Sequence, residues 1–275
     1  SEGINSAIKK CSEKGVISST SIVANGNFYE HALNNVINKI PIENYGLHLN
    51  LTEGKALFRD KTNDLTDKNN HFKFSAKILF FKNFFEQKKE LKIAVYNELK
   101  TQIEKVIKDG IKLSHFDSHE HIHHSPWIFK IIEDLGKEFN IKKIRFVNEK
   151  LVIKNYFKDI FYKSKNLNYL KNLIINFNKK KIKNSFISTD YFFGLLNSGK
   201  IKSDELFLYL DSIEENKITE ICFHPSDEID EKKENLKSFY SHENRKLEKN
   251  FLLGTEFKSY IQNNKIRLTS FSEIN

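Results

Sequence analysis

The chain has 275 residues, which is enough to bury a sizeable core as one large α/β domain or two smaller ones. Hydrophobic residues make up 39% and charged residues 29%, as in an ordinary globular protein. The net charge of +9 comes from 45 basic residues against 36 acidic ones, and only four of the basic residues are arginine. Recognition of nucleic acid favours clustered arginine, whereas these lysines are spread along the whole chain. We therefore predict no nucleic-acid partner.

Cysteine content and hydropathy indicate which cellular compartment to expect. Cys11 and Cys222 form no disulfide framework pattern, which favours a reducing compartment, and we predict a cytoplasmic protein. No apolar run approaches the ~20 residues of a membrane span, so we expect no membrane partner. The chain contains no methionine, and residues 1–5 lead directly into a predicted helix without a preceding strand. We expect that the natural start of the protein is missing, so nothing follows about a signal peptide.

Hydrophobic periodicity predicts alternating helices and strands. Predicted helices cover 3–14, 28–38, 91–109, the stretch after Pro126, 203–214, 232–251 and 256–263. Predicted strands cover 16–24, 45–51, 112–117, 142–147, 186–189, 218–223 and 266–271. Residues 56–90 and 150–185 are variable insertions, the first being either a lid or a surface subdomain. Because the alternation continues without a break in composition, we predict a single α/β domain, 1–275, with a parallel sheet.

Five of the ten histidines lie in one short segment. Residues 114–124 read Ser-His-Phe-Asp-Ser-His-Glu-His-Ile-His-His, and a proline follows at position 126. Imidazole beside carboxylate is a donor set that suits a borderline divalent metal. A hydrophilic surface loop is the alternative interpretation. The interleaved Asp117 and Phe116 argue against a simple histidine tract, and the segment predicts a metal site.

The predicted strands place further polar residues near this segment. In 45–51 the leucines alternate with His48 and Asn50, so the histidine faces away from the leucine side. The polar residues that lie at or just after the carboxyl ends of predicted strands are His48, Asp117, His119, Arg145, Asp190 and His224. Active sites of α/β barrels and of open α/β sheets form at that end of the strands. We therefore predict that these residues share one site.

Three segments together resemble the YdjC-like (ChbG/HpnK-type) carbohydrate deacetylases. They are Gly46-Leu47-His48-Leu49-Asn50-Leu51-Thr52-Glu53-Gly54, His115-Phe116-Asp117-Ser118-His119-Glu120-His121-Ile122-His123 and Phe223-His224-Pro225. Residues 15–26 match the early block of that family. The resemblance covers most of the chain and is weakest in 56–90 and 150–185. It implies a distorted (β/α) TIM-like barrel that hydrolyses the N-acetyl group of an amino sugar or chito-oligosaccharide.

The resemblance also assigns roles. It implies one divalent metal ion, with Mg²⁺ expected and Zn²⁺ as the alternative, held by His48 and His119. His224 and Asp117 are the predicted catalytic residues. The residues predicted to bind or position the substrate are His121, Arg145, Asn25 and Asp190. The remaining histidines are expected to be mostly solvated, namely His31, His71, His123, His124 and His242. An acetylated sugar is the expected partner, and a homodimer is left open.

The chain departs from the family at its start. The family carries an Asp-Asp pair at the end of its first strand, which would supply the third metal ligand and the base, and this pair is absent from the sequence. We expect it upstream of Ser1. Two alternatives stay open: a non-catalytic barrel that binds sugar or metal, and a metal-dependent hydrolase of another bond such as a phosphoester.

Overall fold

A computed structural model describes residues 1–40, 45–59, 61–62, 64–85, 88–150, 175, 182, 184–196, 198, 201–227 and 242–275. The strands are β1 (Ser21–Ile22), β2 (Tyr45–Leu49), β3 (Leu113–Ser118), β4 (Tyr191–Phe193) and β5 (Thr219–Ile221). The helices are α1 (Glu2–Lys14), α2 (Tyr29–Asn35), α3 (Ala76–Phe85), α4 (Lys89–Lys108), α5 (Pro126–Glu138), α6 (Ser203–Asp211), α7 (His242–Leu253) and α8 (Thr255–Asn263). A 3₁₀ segment, His119–His124, lies between β3 and α5.

The strands form parallel sheets, as predicted from the alternation of elements. One sheet has the order β1-β2-β3, and a second pairs β4 with β5. Single parallel bridges, Phe116 with Ile144 and Lys143 with Ile187, continue the neighbour relations beyond β3. The chain is thus a mixed α/β domain with parallel sheets.

Amphipathic helices cover the sheet with the apolar faces that their periodicity predicted. Helix α4 buries Leu91, Val95, Leu99, Ile103 and Val106. Helix α5 buries Ile128, Ile132 and Leu135 against the same core. No helix among the described residues is long and apolar enough to cross a membrane.

Several strand predictions were too long, and one was wrong. The predicted strand 16–24 is reduced to β1, and Ile187 forms only a single bridge within 186–189. Residues 266–271 form no strand. Instead, the backbone N–H of Phe271 donates to Ser19 Oγ at 3.2 Å, and the Phe271 ring stacks on His115 at 3.7 Å. The segment is thus anchored by a side-chain contact and a ring stack rather than by a strand ladder.

The structure describes most of 56–90 and little of 150–185. The first insertion contains α3 and two isolated antiparallel bridges, Lys55 with His71 and Thr66 with Phe72. Most of 150–185 lies outside the described residues, as does the 232–241 part of the helix predicted over 232–251, whose remainder lies in α7.

The register between β2 and β3 contains an irregularity that decides which side chains meet. Tyr45 is opposite Leu113, but Gly46 is opposite His115, so Ser114 is passed over. The His115 ring then lies so close to Gly46 that a Cβ atom there would collide with it and with Ser21 Oγ. Only glycine fits this close approach of ring and backbone.

We expect Gly46→Ala to lower the free energy of unfolding by about 1–3 kcal/mol, because the added methyl group overpacks the space held by the His115 ring. Gly26→Ala is the matched control, since a Cβ there would meet Val23 O at 3.3 Å and no ring. Urea unfolding of both variants measures the difference. Equal stability of the two variants would contradict the packing argument.

Candidate active site

His48 and Asp117 are direct neighbours across the sheet. They are register partners on β2 and β3, and His48 Nδ1 lies 3.1 Å from Asp117 Oδ1. The Asp117 side chain is 1% exposed, whereas that of His48 is 23% exposed. The carboxylate therefore contacts the imidazole from the protein interior. The opposite edge of the His48 ring is its more exposed side.

Arg145 binds the second oxygen of Asp117. Its Nη1 lies 2.7 Å from Asp117 Oδ2, and its Nη2 lies 2.6 Å from Glu220 Oε1. Burial alone would raise the pKa of Asp117, but the charge on Arg145 and the contact with His48 hold it well below the usual range. Burial raises the pKa of Glu220, and Arg145 opposes that shift. A buried chain of four charged or polar side chains therefore runs from β5 to β2.

His119 reaches the site because the chain turns sharply after β3. Glu120 and His121 have φ values of 51° and 60°, in the left-handed region that residues other than glycine rarely adopt. The His119 ring then lies 5.7 Å from the His48 ring, centroid to centroid. His119 Nε2 is 3.2 Å from Glu53 Oε2, and this hydrogen bond lowers the pKa of Glu53, with burial opposing the shift. Two imidazoles, each with its own carboxylate, thus face one another.

A set of amide side chains shapes the loop that carries Glu53. The Asn50 side chain accepts hydrogen bonds from the backbone N–H groups of Thr52 and Glu53, both at 3.1 Å, and donates to Glu53 O at 2.8 Å. Asn25 donates to Glu53 O and to Lys55 O. Asn25 thus binds the backbone of the loop that carries Glu53.

His224 lies within electrostatic range of both histidines. Its backbone N–H donates to Glu248 Oε2 at 2.6 Å. Burial lowers the pKa of His224 to about 3, and the charge of Arg245 adds to the shift, followed by Arg145, His48 and His119. The imidazole of His224 is therefore neutral near pH 7.

The histidine segment divides into a cleft half and a core half. His121 contacts the Phe192 ring at 5.8 Å between centroids. His123 and His124 were predicted to be solvated, and this was wrong, because both are fully buried. His123 binds Ser118 Oγ at 2.5 Å and Arg145 O at 3.0 Å, so it fixes the backbone beneath the site. Of the other three, His71 is exposed, His31 pairs with Asn5, and the side chain of His242 lies outside the described residues.

Asp190 is not at the predicted end of a strand. It precedes β4, and its Oδ2 accepts the backbone N–H of Ile218, just before β5, at 3.1 Å. Lys217 lies 3.6 Å from the other oxygen. Asp190 therefore joins the amino ends of two parallel strands, whereas the site lies at the carboxyl ends, and the placement predicted from the sequence was wrong by the length of a strand.

Sequence reasoning missed Glu53 and Glu220. Glu53 lies inside the quoted segment 46–54 but was not singled out. Glu220, Cys222 and His224 alternate along one stretch, so the periodicity argument that selected His48 could also have selected Glu220. Within the described part of the chain, no three His, Cys, Asp or Glu side chains are arranged to hold a metal ion. The His48 and His119 rings lie edge to face, with an interplanar angle of 77°.

A family model described as YdjC-like protein matches residues 1–263. The chain belongs to the YdjC-like protein family. This confirms the resemblance read from the three sequence segments, and the match extends across both insertions.

Several proteins named carbohydrate deacetylase align with the chain. A carbohydrate deacetylase of Thermoanaerobacter pseudethanolicus is 27% identical over 273 residues, covering 98% of this chain and 93% of the relative. One of Brevibacillus brevis is 24% identical over 274 residues, covering 100% and 95%. One of Vibrio cholerae is 30% identical over 164 residues, and the match spans 58% of this chain and 62% of that relative.

A crystal structure from Enterococcus faecalis V583, described as that of a candidate cellobiose-phosphate cleavage protein, has the same fold. It superposes with a TM-score of 0.72 at 21% identity, covering 98% of this chain and 93% of that one.

The buried His115 generates a pH prediction. Burial lowers its pKa to about 3, against about 6.5 for an unfolded histidine. Between these values the unfolded chain binds a proton that the folded protein excludes, so stability falls as the pH falls, by about 1.4 kcal/mol per pH unit. We expect His115→Phe to reduce the slope of unfolding free energy against pH by that amount between pH 4 and 6.

Ser114→Ala is the control for this measurement, because its hydroxyl contacts His115 Nδ1 at 2.8 Å and does not titrate in this range. It should lower the stability and keep the slope. An unchanged slope in His115→Phe would refute the linkage.

Proposed function

We propose that this protein is a metal-dependent carbohydrate deacetylase that hydrolyses the N-acetyl group of an amino sugar or chito-oligosaccharide. The observation that carries the proposal is the pair of facing imidazoles, His48 and His119, each held by a carboxylate. Full-length relatives of the chain that bear the name carbohydrate deacetylase support the same reaction class.

The donor chemistry of the two histidines fits a divalent cation. A histidine that ligates a metal through one nitrogen commonly donates from the other to a carboxylate, and Asp117 takes that place on His48. His48 and His119 would hold the ion, with Mg²⁺ expected by resemblance and Zn²⁺ as the alternative. When bound, such a cation polarises the acyl carbonyl and lowers the pKa of a coordinated water.

The proposed roles of Asp117 and His224 differ. Both oxygens of Asp117 are engaged, by His48 and by Arg145, so we assign it to orienting the imidazole rather than to proton transfer. His224 is the proposed general acid for the leaving amine. Because its imidazole is neutral near pH 7, it must first gain a proton, and the attacking water is the source. Hydrolysis then yields acetate and the free amine.

The barrel topology, the cellular location and the oligomeric state are also part of the proposal. We infer that the parallel neighbours continue into a distorted (β/α) TIM-like barrel, for which the succession of β1, β2, β3, Ile144 and Ile187 gives support. A cytoplasmic location and a homodimer stay predictions.

A non-catalytic sugar-binding protein is the second candidate. The observation that favours it is that the described residues bring together two imidazoles and no third side chain able to complete a metal site. A sugar-binding protein would bind N-acetylated oligosaccharides and release no acetate from them.

We expect His48→Ala and His119→Ala each to reduce acetate release from N-acetylated chito-oligosaccharides by about 100-fold or more in the complete protein, because each removes a metal donor. Dialysis against a chelator should abolish the wild-type activity, and a divalent cation should restore it.

His71→Ala is the matched control for these variants, since this imidazole is exposed in the insertion. Wild-type activity in His48→Ala and His119→Ala would overturn the metal assignment. Sugar binding without acetate release by the metal-loaded wild type would favour the second candidate.

We expect His224→Ala to lower kcat by about 10²–10⁴-fold with little change in metal affinity, because general acid–base catalysis contributes about that much. Steady-state kinetics and a metal titration check the two parts separately. Normal turnover would remove His224 from the mechanism, and a parallel loss of metal affinity would reassign it to ligand positioning.

A further inference from the structure

Glu220 is a buried glutamate with no role assigned by the sequence motifs. It lies on β5 as the register partner of Phe192, and its side chain is 11% exposed. Its Oε1 accepts a hydrogen bond from Arg145 Nε at 2.7 Å and forms an ion pair with Nη2 of the same guanidinium at 2.6 Å. Charge-assisted contacts of this kind are among the strongest that a side chain makes.

These contacts divide the donors of Arg145 between two carboxylates. With Nε and Nη2 directed at Glu220, Nη1 is left for Asp117 Oδ2 at 2.7 Å. Asp117 therefore receives one contact from the guanidinium and keeps Oδ1 for His48 Nδ1, 3.1 Å away. The way in which Arg145 divides its N–H groups between the two carboxylates thus decides whether Asp117 Oδ1 stays available to His48.

We propose that Glu220 is a positioning residue that, through Arg145 and Asp117, holds the His48 imidazole with Nδ1 toward Asp117 and Nε2 toward the cleft. The link to metal binding rests on the proposed function, whereas the effect on His48 does not. Glu220 touches neither the imidazole nor the cleft-side nitrogen, so its influence passes through two intermediate side chains.

The fork geometry of arginine couples Glu220 to Asp117. A guanidinium freed from Glu220 can present two parallel N–H groups to one carboxylate, which is its preferred arrangement. Both Asp117 oxygens would then bind Arg145, and His48 Nδ1 would lose its contact with Asp117 Oδ1.

The backbone of Arg145 is fixed independently of Glu220. Its carbonyl contacts His123 Nε2 at 3.0 Å, and its N–H donates to Phe116 O at 2.8 Å. The Phe192 ring lies 5.5 Å from the guanidinium carbon. The loss of Glu220 should therefore change the direction of the guanidinium while the backbone at Arg145 stays in place.

The test is the tautomer of His48 in the metal-free protein, read from long-range ¹H–¹⁵N spectra of the imidazole. The wild type should show His48 protonated at Nδ1, and Glu220→Gln should show a mixture of the two tautomers. Glu220→Asp restores the charge and should recover the wild-type tautomer at least in part. Glu133→Gln is the matched control, because Glu133 is 16% exposed and paired with Lys130 on α5, away from the site.

A metal titration gives the second readout. Glu220→Gln should bind Zn²⁺ about 10–100-fold more weakly than the wild type, as observed when residues that orient metal ligands are changed, while Glu133→Gln should match the wild type. An unchanged His48 tautomer in a folded Glu220→Gln protein would overturn the inference. If Glu220→Gln does not fold, the wild type decides. A mixture of the two His48 tautomers in the wild type, where Glu220 is intact, would overturn the inference.

Failure of the proposed function has a different signature. A wild type that binds no metal and releases no acetate would refute the deacetylase proposal, yet the tautomer comparison would still support or overturn the role of Glu220.

Discussion

The guanidinium of Arg145 is the contact on which the candidate site depends. It is nearly buried and joins Asp117 on β3 to Glu220 on β5, two strands of different sheets. A buried cation is costly unless it is paired and hydrogen-bonded, and here two carboxylates meet that requirement. The three side chains together carry one excess negative charge. His48 Nδ1 lies 3.1 Å from Asp117 Oδ1, beside that excess charge.

That contact requires the correct register between β2 and β3. If the pairing of Tyr45 with Leu113 continued without interruption, His48 would be opposite Phe116, whose side chain lies in the core. A shift of one residue sends side chains to the opposite face of a sheet. The passed-over Ser114 brings His48 opposite Asp117 instead, and Gly46 makes the shift possible by leaving room for the His115 ring.

These features mark the limit of what the sequence could predict. Alternation in 45–51 correctly placed His48 away from the leucine face, and helix periodicity correctly gave the buried faces of α4 and α5. The register shift has no local signature, so the pairing with Asp117 could not be derived. The left-handed turn at Glu120 and His121 could not be predicted either, because neither residue is glycine. Without knowledge of that turn, the division between a half-buried His119 and a fully buried His123 could not be foreseen.

The two imidazoles are held with unequal strength, and the reason is solvent. Asp117 is 1% exposed beside His48, so little water screens that contact. Glu53 is 50% exposed beside His119, and exposed pairs of this kind typically contribute about 0–1 kcal/mol. The loop compensates through its backbone, since Asn50 is held by Gln102 on α4 at both its N–H and its carbonyl. The sheet thus fixes His48 through a buried carboxylate, whereas His119 depends on a half-exposed one.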